Sequence, residues 1–266
     1  MKQELFFDEQ VKALSWIHSN RAITPKHFHK KFKPGQTPAR ACQILSRWEE
    51  LGLLKRHKAF LNSDSFYSLS YKSIRYLTDK RLILLSKNVR EAKINTYEKE
   101  HDKRVINIRI AIENSGLKNL LWLSDYEMRC GLDTDKKRAL INGSNDPHVF
   151  LIERNKRKVP DGFFEAAIGG RTWSFVVEYE HHPYSQDRIQ TVLLRLYREY
   201  PNSIKTLIVN QKQREAVLLY KISKLITDPA ERAAWIFSSY EEVTSLPFLD
   251  NPWIDLDKKP FALAHS

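Results

Sequence analysis

The sequence has no run of about 18 or more apolar residues, so it holds no stretch that would cross a bilayer as a helix. Its opening, MKQELFFDEQ, carries Glu4, Asp8 and Glu9 where a secretory signal would need an apolar core. A cytoplasmic protein with no membrane partner is expected. Cysteine is scarce too. Cys42 and Cys130 are the only two in 266 residues, far apart and without metal-ligand spacing, which excludes a disulfide framework and a thiolate zinc site and predicts free thiols. Negative charge is thin in one region: residues 1–100 hold 20 Lys+Arg against 10 Asp+Glu, whereas residues 101–266 hold 24 against 22. The net charge of +12 therefore belongs to the N-terminal part and predicts a nucleic-acid partner there, although a solvated basic face would carry the same charge. With 42% hydrophobic and 29% charged residues the balance is otherwise that of a globular protein, long enough for one large domain or two modest ones.

Helix signals fill residues 8–85. Asp8 can cap a helix through about Ser19, with Val11, Leu14, Trp16 and Ile17 on its apolar side. Thr24-Pro25 and Thr37-Pro38 repeat one device: threonine caps, and proline takes the first helical position, where its missing N–H costs nothing. Gly52 is placed to end the third helix in the left-handed conformation. The runs LLKRH and SFYSLS, with KAFLNSD between them, read as two short strands. Three helices and a two-stranded wing predict a winged helix-turn-helix domain over residues 1–90.

On the third helix Ala41, Ile44, Leu45, Trp48 and Leu51 share a core face, which turns Arg40, Gln43 and Arg47 outward. In the major groove arginine pairs with guanine and glutamine with adenine, while cations on a wing hold phosphates. The expected DNA-binding residues are Thr37, Arg40, Gln43, Arg47, Lys55, Arg56 and Lys58. Winged helices also serve as protein-protein modules, so the fold alone does not assign DNA binding. The string HFH at His27–His29 matches a metal-binding pattern of relaxases. It follows a helix cap, however, and residues i and i+2 of a helix diverge, so these histidines are expected at the surface or on phosphate.

DKRLILLSKNVREAKINTYEKE reads as a connector. HDKRVINIRIAIEN, with Val105, Ile108 and Ile112 on helical spacing, opens a second domain over residues 91–266. An extended run, NLLWLS, comes next, then a short turn or helix and a polar loop, DTDKKRALINGSNDP. VPDGFFEAAI and TWSFVVEYE are strand-like, joined by the hairpin signal GGR. SQDRIQTVLLRLYREY is an amphipathic helix, IKTLIVN an apolar strand and QREAVLLYKISKL another helix. That order implies an α/β sandwich whose last strand runs parallel to its neighbour, giving an α/β (α+β overall) protein.

The same order, with Pro160-Asp161 and Glu178-x-Glu180, resembles the core of the PD-(D/E)xK nuclease superfamily, the restriction-endonuclease-like fold. The resemblance implies that Asp161 and Glu178 bind Mg²⁺, with Asp161, Glu178 and Glu180 as the catalytic set; Glu180 stands where the superfamily has lysine. Mg²⁺ accepts one or two carboxylates plus water and phosphate, and residues 178 and 180 share a strand face that residue 161 can join from a hairpin partner. The alternative is that Asp161 caps the turn before Gly162 while Glu178 and Glu180 lie at a solvated strand end near Lys158 or His181. With no lysine to help activate water, a scaffold kept for fold and DNA positioning is favoured over an enzyme.

The whole chain is similar to replication-relaxation family proteins of plasmids and integrative elements, through ITPKHFHKKF, ARACQILSRWEELGLLKR, YSLSYKSIRYL, HDKRVINIRIAIENS, WLSDYEMR, VPDGFFEA, FVVEYEH and LLRLYREYP. The resemblance implies a sequence-selective accessory protein for double-stranded DNA, acting in replication, mobilisation or maintenance. A Mg²⁺-dependent endonuclease and a transcriptional repressor are the alternatives. Relaxosome or replication proteins are implied partners, and LTDKRLILLSKNV could supply the interface of a homodimer.

Overall fold

The computed structural model describes residues 8–57, 65–83, 99–144 and 159–261. It is a mixed α/β protein with two sheets. Its contacts divide into two compact units, residues 1–99 with 126–158, and residues 100–125 with 159–266. The expected boundary near residue 90 falls among residues 84–98, outside the described ones, as do residues 84–89 of the segment expected to supply a dimer interface.

The first unit opens with α1 (Asp8–Ser19), β1 (Ala22–Ile23), α2 (Pro25–Phe32) and α3 (Pro38–Glu50). Strands β2 (Leu54–His57) and β3 (Phe66–Leu69) and helix α4 (Tyr71–Asp79) follow. The two wing-like strands are antiparallel, and the two-residue β1, unforeseen in the sequence, pairs along the other side of β3 in the order β1-β3-β2. Leu14, Ile17, Phe28, Ala41, Leu45, Phe66, Leu69 and Leu77 are buried between helices and sheet. Trp16 meets Phe32, and Phe28 meets Trp48, edge to face at 5.5 Å, an arrangement that suits the ring quadrupoles. Leu51, expected on the core face, is instead exposed, because α3 is already turning into its terminus there. Gly52 takes φ +69° as expected, a conformation in which a side chain is strained.

Thr24 caps α2 reciprocally: its hydroxyl accepts the His27 N–H at 3.3 Å and its own N–H donates to His27 Nδ1 at 3.3 Å. His27 is thus buried rather than at the surface. His29 points elsewhere, with Nε2 2.6 Å from the Gln36 carbonyl.

Helices α6 (Asp125–Arg129) and α7 (Thr134–Ile141) come later in the chain. Within the stretch read as a polar loop, residues 134–141 are helical, and the Asp133 carboxylate caps them, accepting from the Lys136 N–H at 2.9 Å.

The second unit begins with α5 (Lys99–Glu113), β4 (Lys118–Ser124), β5 (Gly162–Ile168) and β6 (Arg171–Glu180). Helix α8 (Gln186–Glu199), β7 (Ile204–Val209), α9 (Lys212–Ser223), α10 (Pro229–Ala233), β8 (Trp235–Ser239) and α11 (Tyr240–Ser245) complete it. The sheet order is β4-β5-β6-β7-β8. The first three strands form an antiparallel meander; β6, β7 and β8 are parallel, so the strand expected to run parallel to its neighbour does so and β8 extends the run. Alternation along the strands sends Phe164, Ala166, Phe175, Val177, Tyr179, Ile208 and Ile236 to one face, where Ile108 and Ile112 of α5 and Val243 of α11 cover them. Beyond β8, Ile254 forms a single antiparallel bridge with Phe237 and a second with Pro260.

Among the described residues no helix is long and apolar enough to cross a membrane. Cys42 and Cys130 form no disulfide.

Candidate functional sites

In the first unit the outward stripe is placed by α3. Thr37, Arg40, Gln43 and Arg47 are all exposed, and the spacing of three and four residues aligns the last three along one side of the helix. Arg40 donates to the Gln43 carbonyl at 3.2 Å, and Arg47 pairs with Glu50 at 3.0 Å. Thr37 sits at the N-cap with extended backbone, but its hydroxyl makes no cap hydrogen bond, unlike that of Thr24. Lys55 and Arg56 are exposed on β2; Arg56 donates to the Ser65 hydroxyl at 3.1 Å and lies over the Tyr67 ring. Lys58 lies outside the described residues.

In the second unit, register brings the acidic residues together. Gly162 pairs with Val177, which sets Asp161, one residue earlier, beside the end of β6. The Tyr179 N–H donates to Asp161 Oδ2 at 2.8 Å, and the Asp161 N–H donates to Glu178 Oε2 at 3.3 Å. Glu178 and Glu180 do not lie at a solvated strand end: they are 5% and 3% exposed, on the face away from α5, and each meets an arginine. Arg195 of α8 forms a close ion pair with Glu178 Oε1. Arg214 of α9 lies 3.1 Å from Glu180 Oε1, which also accepts the Tyr184 N–H at 2.9 Å. Lys158, considered as a neighbour of these glutamates, lies outside the described residues.

A third cation comes from α5, where His101 Nε2 lies 3.3 Å from Asp161 Oδ2 and Nδ1 lies 3.4 Å from Asp102 Oδ1. Burial disfavours the charged imidazolium, but Asp102 and Asp161 outweigh it and raise the His101 pKa to about 10. Glu178 is shifted upward by its burial and by the neighbouring Asp161, with Arg195 pulling the other way. Burial also raises Glu180, against the Tyr184 N–H and Arg214. On the α5 side Arg104 reaches the Tyr179 hydroxyl at 3.2 Å, pairs with Asn210 and lies over the Tyr240 ring. Asn210 in turn borders an open polar depression lined by Gln211, Lys212, Ser239 and Glu241 at the carboxyl ends of β7 and β8.

As they stand, these carboxylates do not fit a divalent cation. Both oxygens of Glu178 and Oδ2 of Asp161 already hold donors, the charges are balanced by Arg195, Arg214 and His101, and among the described residues no three His, Cys, Asp or Glu side chains are arranged to hold a metal. His101, Arg195 and Arg214 were not singled out in the sequence, yet each carried a signal. His101 continues the Val105, Ile108 and Ile112 stripe one turn back, Arg195 lies between the buried Val192 and Leu196, and Arg214 is four residues before the buried Leu218. A basic residue in register with an apolar stripe must find an internal acid or leave the core.

Comparison with protein-family models, with curated proteins and with solved structures returns no match for this chain.

Proposed function

We propose that the chain is a cytoplasmic, sequence-selective binding protein for double-stranded DNA, an accessory factor in the replication, mobilisation or maintenance of a plasmid or integrative element. On this reading the first unit is a winged helix-turn-helix and the second a restriction-endonuclease-like domain of the replication-relaxation type. The observation that carries it is the exposed Arg40, Gln43 and Arg47 stripe on α3, beside a β2–β3 hairpin bearing Lys55 and Arg56. Guanidinium and carboxamide groups on one helix face match the donor and acceptor pattern of purines in the major groove. Supporting it, the unpartnered cap hydroxyl of Thr37 and the cations of β2 suit phosphate oxygens.

Fluorescence anisotropy with a duplex library tests the reading. Affinity should fall by orders of magnitude between about 50 and 200 mM salt, because each neutralised phosphate releases counterions. Arg40→Ala with Arg47→Ala should abolish selectivity. Affinity that is flat with salt, or unchanged in the double variant, would reject it. A repressor acting through the same unit, and dimers or complexes with relaxosome or replication proteins, are extensions of this reading.

A Mg²⁺-dependent endonuclease is the second reading, favoured by the apposition of Asp161 and Glu178 at the end of the β5–β6 pair. The ion pairs to Arg195 and Arg214 weigh against it. Nicking of supercoiled plasmid that requires Mg²⁺ or Mn²⁺ and is lost in Asp161→Ala, with DNA binding retained, would establish it.

A further inference from the structure

We propose that the guanidinium groups of Arg195 and Arg214 hold the place of a divalent cation in the acidic cluster of the second unit: the native chain takes up no such ion there, and replacing Arg195 creates a Mg²⁺ or Mn²⁺ site. The proposal concerns the second unit alone and does not depend on DNA binding by the first.

Asp161 and Glu178 are adjacent like charges, and carboxylates this close require either a cation or a proton. The requirement is met from within the fold. Arg195 takes Glu178 Oε1, the backbone of Asp161 takes Oε2, and His101 takes Asp161 Oδ2. Arginine suits the position because it stays charged at any pH the fold survives and presents its donors in a planar fork. Mg²⁺, by contrast, sheds its water reluctantly and usually keeps several molecules. Glu178 and Glu180 are buried and already paired with Arg195 of α8 and Arg214 of α9, so such a hydrated ion would have to displace those pairs.

The internal cations also satisfy the cluster incompletely. Glu180 Oε2 and Arg195 Nε are buried without a hydrogen-bond partner, and Arg214 Nη2 meets Glu180 Oε1 at 3.1 Å as an ion pair without an aligned hydrogen bond. A guanidinium fork reaches the oxygens from one direction, whereas an ion at their centre would accept lone pairs from several. With Arg195 removed, Glu178 and Asp161 are left as uncompensated hard-oxygen donors of the kind Mg²⁺ and Mn²⁺ select.

The test titrates the full chain with Mn²⁺, following free ion by electron paramagnetic resonance, and records melts in EDTA and in Mg²⁺. For the native chain we expect no saturable uptake and the same Tm in both conditions. Arg195→Met keeps an apolar stem of similar reach and should take up about one Mn²⁺ per chain. Its Tm should rise by several degrees when the ion is well above its dissociation constant. Adding Asp161→Asn should weaken that uptake at least tenfold. Saturable Mn²⁺ binding by the native chain that Asp161→Asn removes would overturn the proposal, as would a folded Arg195→Met that takes up none. If Arg195→Met folds only with Mn²⁺ present, the gain is read as refolding. If it folds under neither condition the proposal also fails, because donors that no cation rescues do not form a cation site.

Discussion

His101 Nε2 lies 3.3 Å from Asp161 Oδ2, joining helix α5 to the start of β5 through an imidazolium that also faces Asp102. Its folded pKa of about 10 is above the ordinary 6.5, so the stabilisation is complete below about pH 6.5 and is lost as pH rises through 10. The upward shift of Glu178 has the same sign but acts on the acid side of neutrality, so the decline above pH 7 belongs to His101. Thermal melts of the native chain should therefore decline from neutral to alkaline pH. His101→Gln should lower stability at acid and neutral pH, where the native contribution is complete, and so remove part of that slope, with the two chains converging above about pH 10. An identical slope in both chains would mean that this pair does not couple to folding.

Gly162 is set by packing rather than by φ. A Cβ there would fall 2.3 Å from Cζ2 of Trp122, a buried ring stacked on Phe164. Gly162→Ala must push the indole off its neighbour, at a cost of about 1–3 kcal/mol. Calorimetry should show a Tm lower by roughly 2–4 °C per kcal/mol.

The two Thr-Pro helix starts should respond differently to truncation. Thr24→Ala deletes a capping bond and should cost about 0.5–2 kcal/mol in a denaturant melt. Thr37→Ala deletes no such bond and should stay within about 0.5 kcal/mol of the native chain, while weakening DNA binding. Equal destabilisation by the two variants would contradict this division of labour.

On the DNA reading, phosphate and base contacts separate experimentally. Lys55→Ala and Arg56→Ala should each reduce the salt slope of binding by about one, with similar losses on all sequences. Arg40→Ala and Arg47→Ala should each cost about 1–3 kcal/mol on the preferred site and little on random DNA.

Local signals carried much of the fold. Thr24-Pro25, Thr37-Pro38 and Gly52 bound their helices, and Gly169-Gly170 turn the β5–β6 hairpin with positive φ, because such residues act on the backbone beside them. The failures were of two kinds. Helix α7 gathers its apolar residues, Ala139, Leu140 and Ile141, in one run at its end and buries none of them, so periodicity gave no sign of it and only the Asp133 cap would have done so. Strand β8 is five residues long and fully buried, too short to stand out among helical patterns. The acidic cluster was legible as a meeting of Asp161 with Glu178 and Glu180, since strand register follows from alternation and the hairpin turn. Its neutralisation by Arg195 and Arg214 was not, because which helix face meets which strand is fixed by tertiary packing and not by spacing along the chain.

The bridge beyond β8 bears on how this protein avoids its own kind. β8 is the last strand in the sheet order, and an outer strand with free amides and carbonyls invites a second molecule to continue the ladder. Here Phe237 gives its N–H to Ile254 and receives that residue's N–H in return, at 2.9 and 3.2 Å. On its far side Ile254 faces Pro260, which has no N–H to offer a newcomer, and Pro252 stands two residues before it. The ladder thus ends in a cap one bridge wide, flanked by residues that cannot extend it. Loss of residues 251–261 would leave the sheet with a growing end and strip Trp253 from the core, and the consequence would be read as concentration-dependent self-association together with a lower melting temperature.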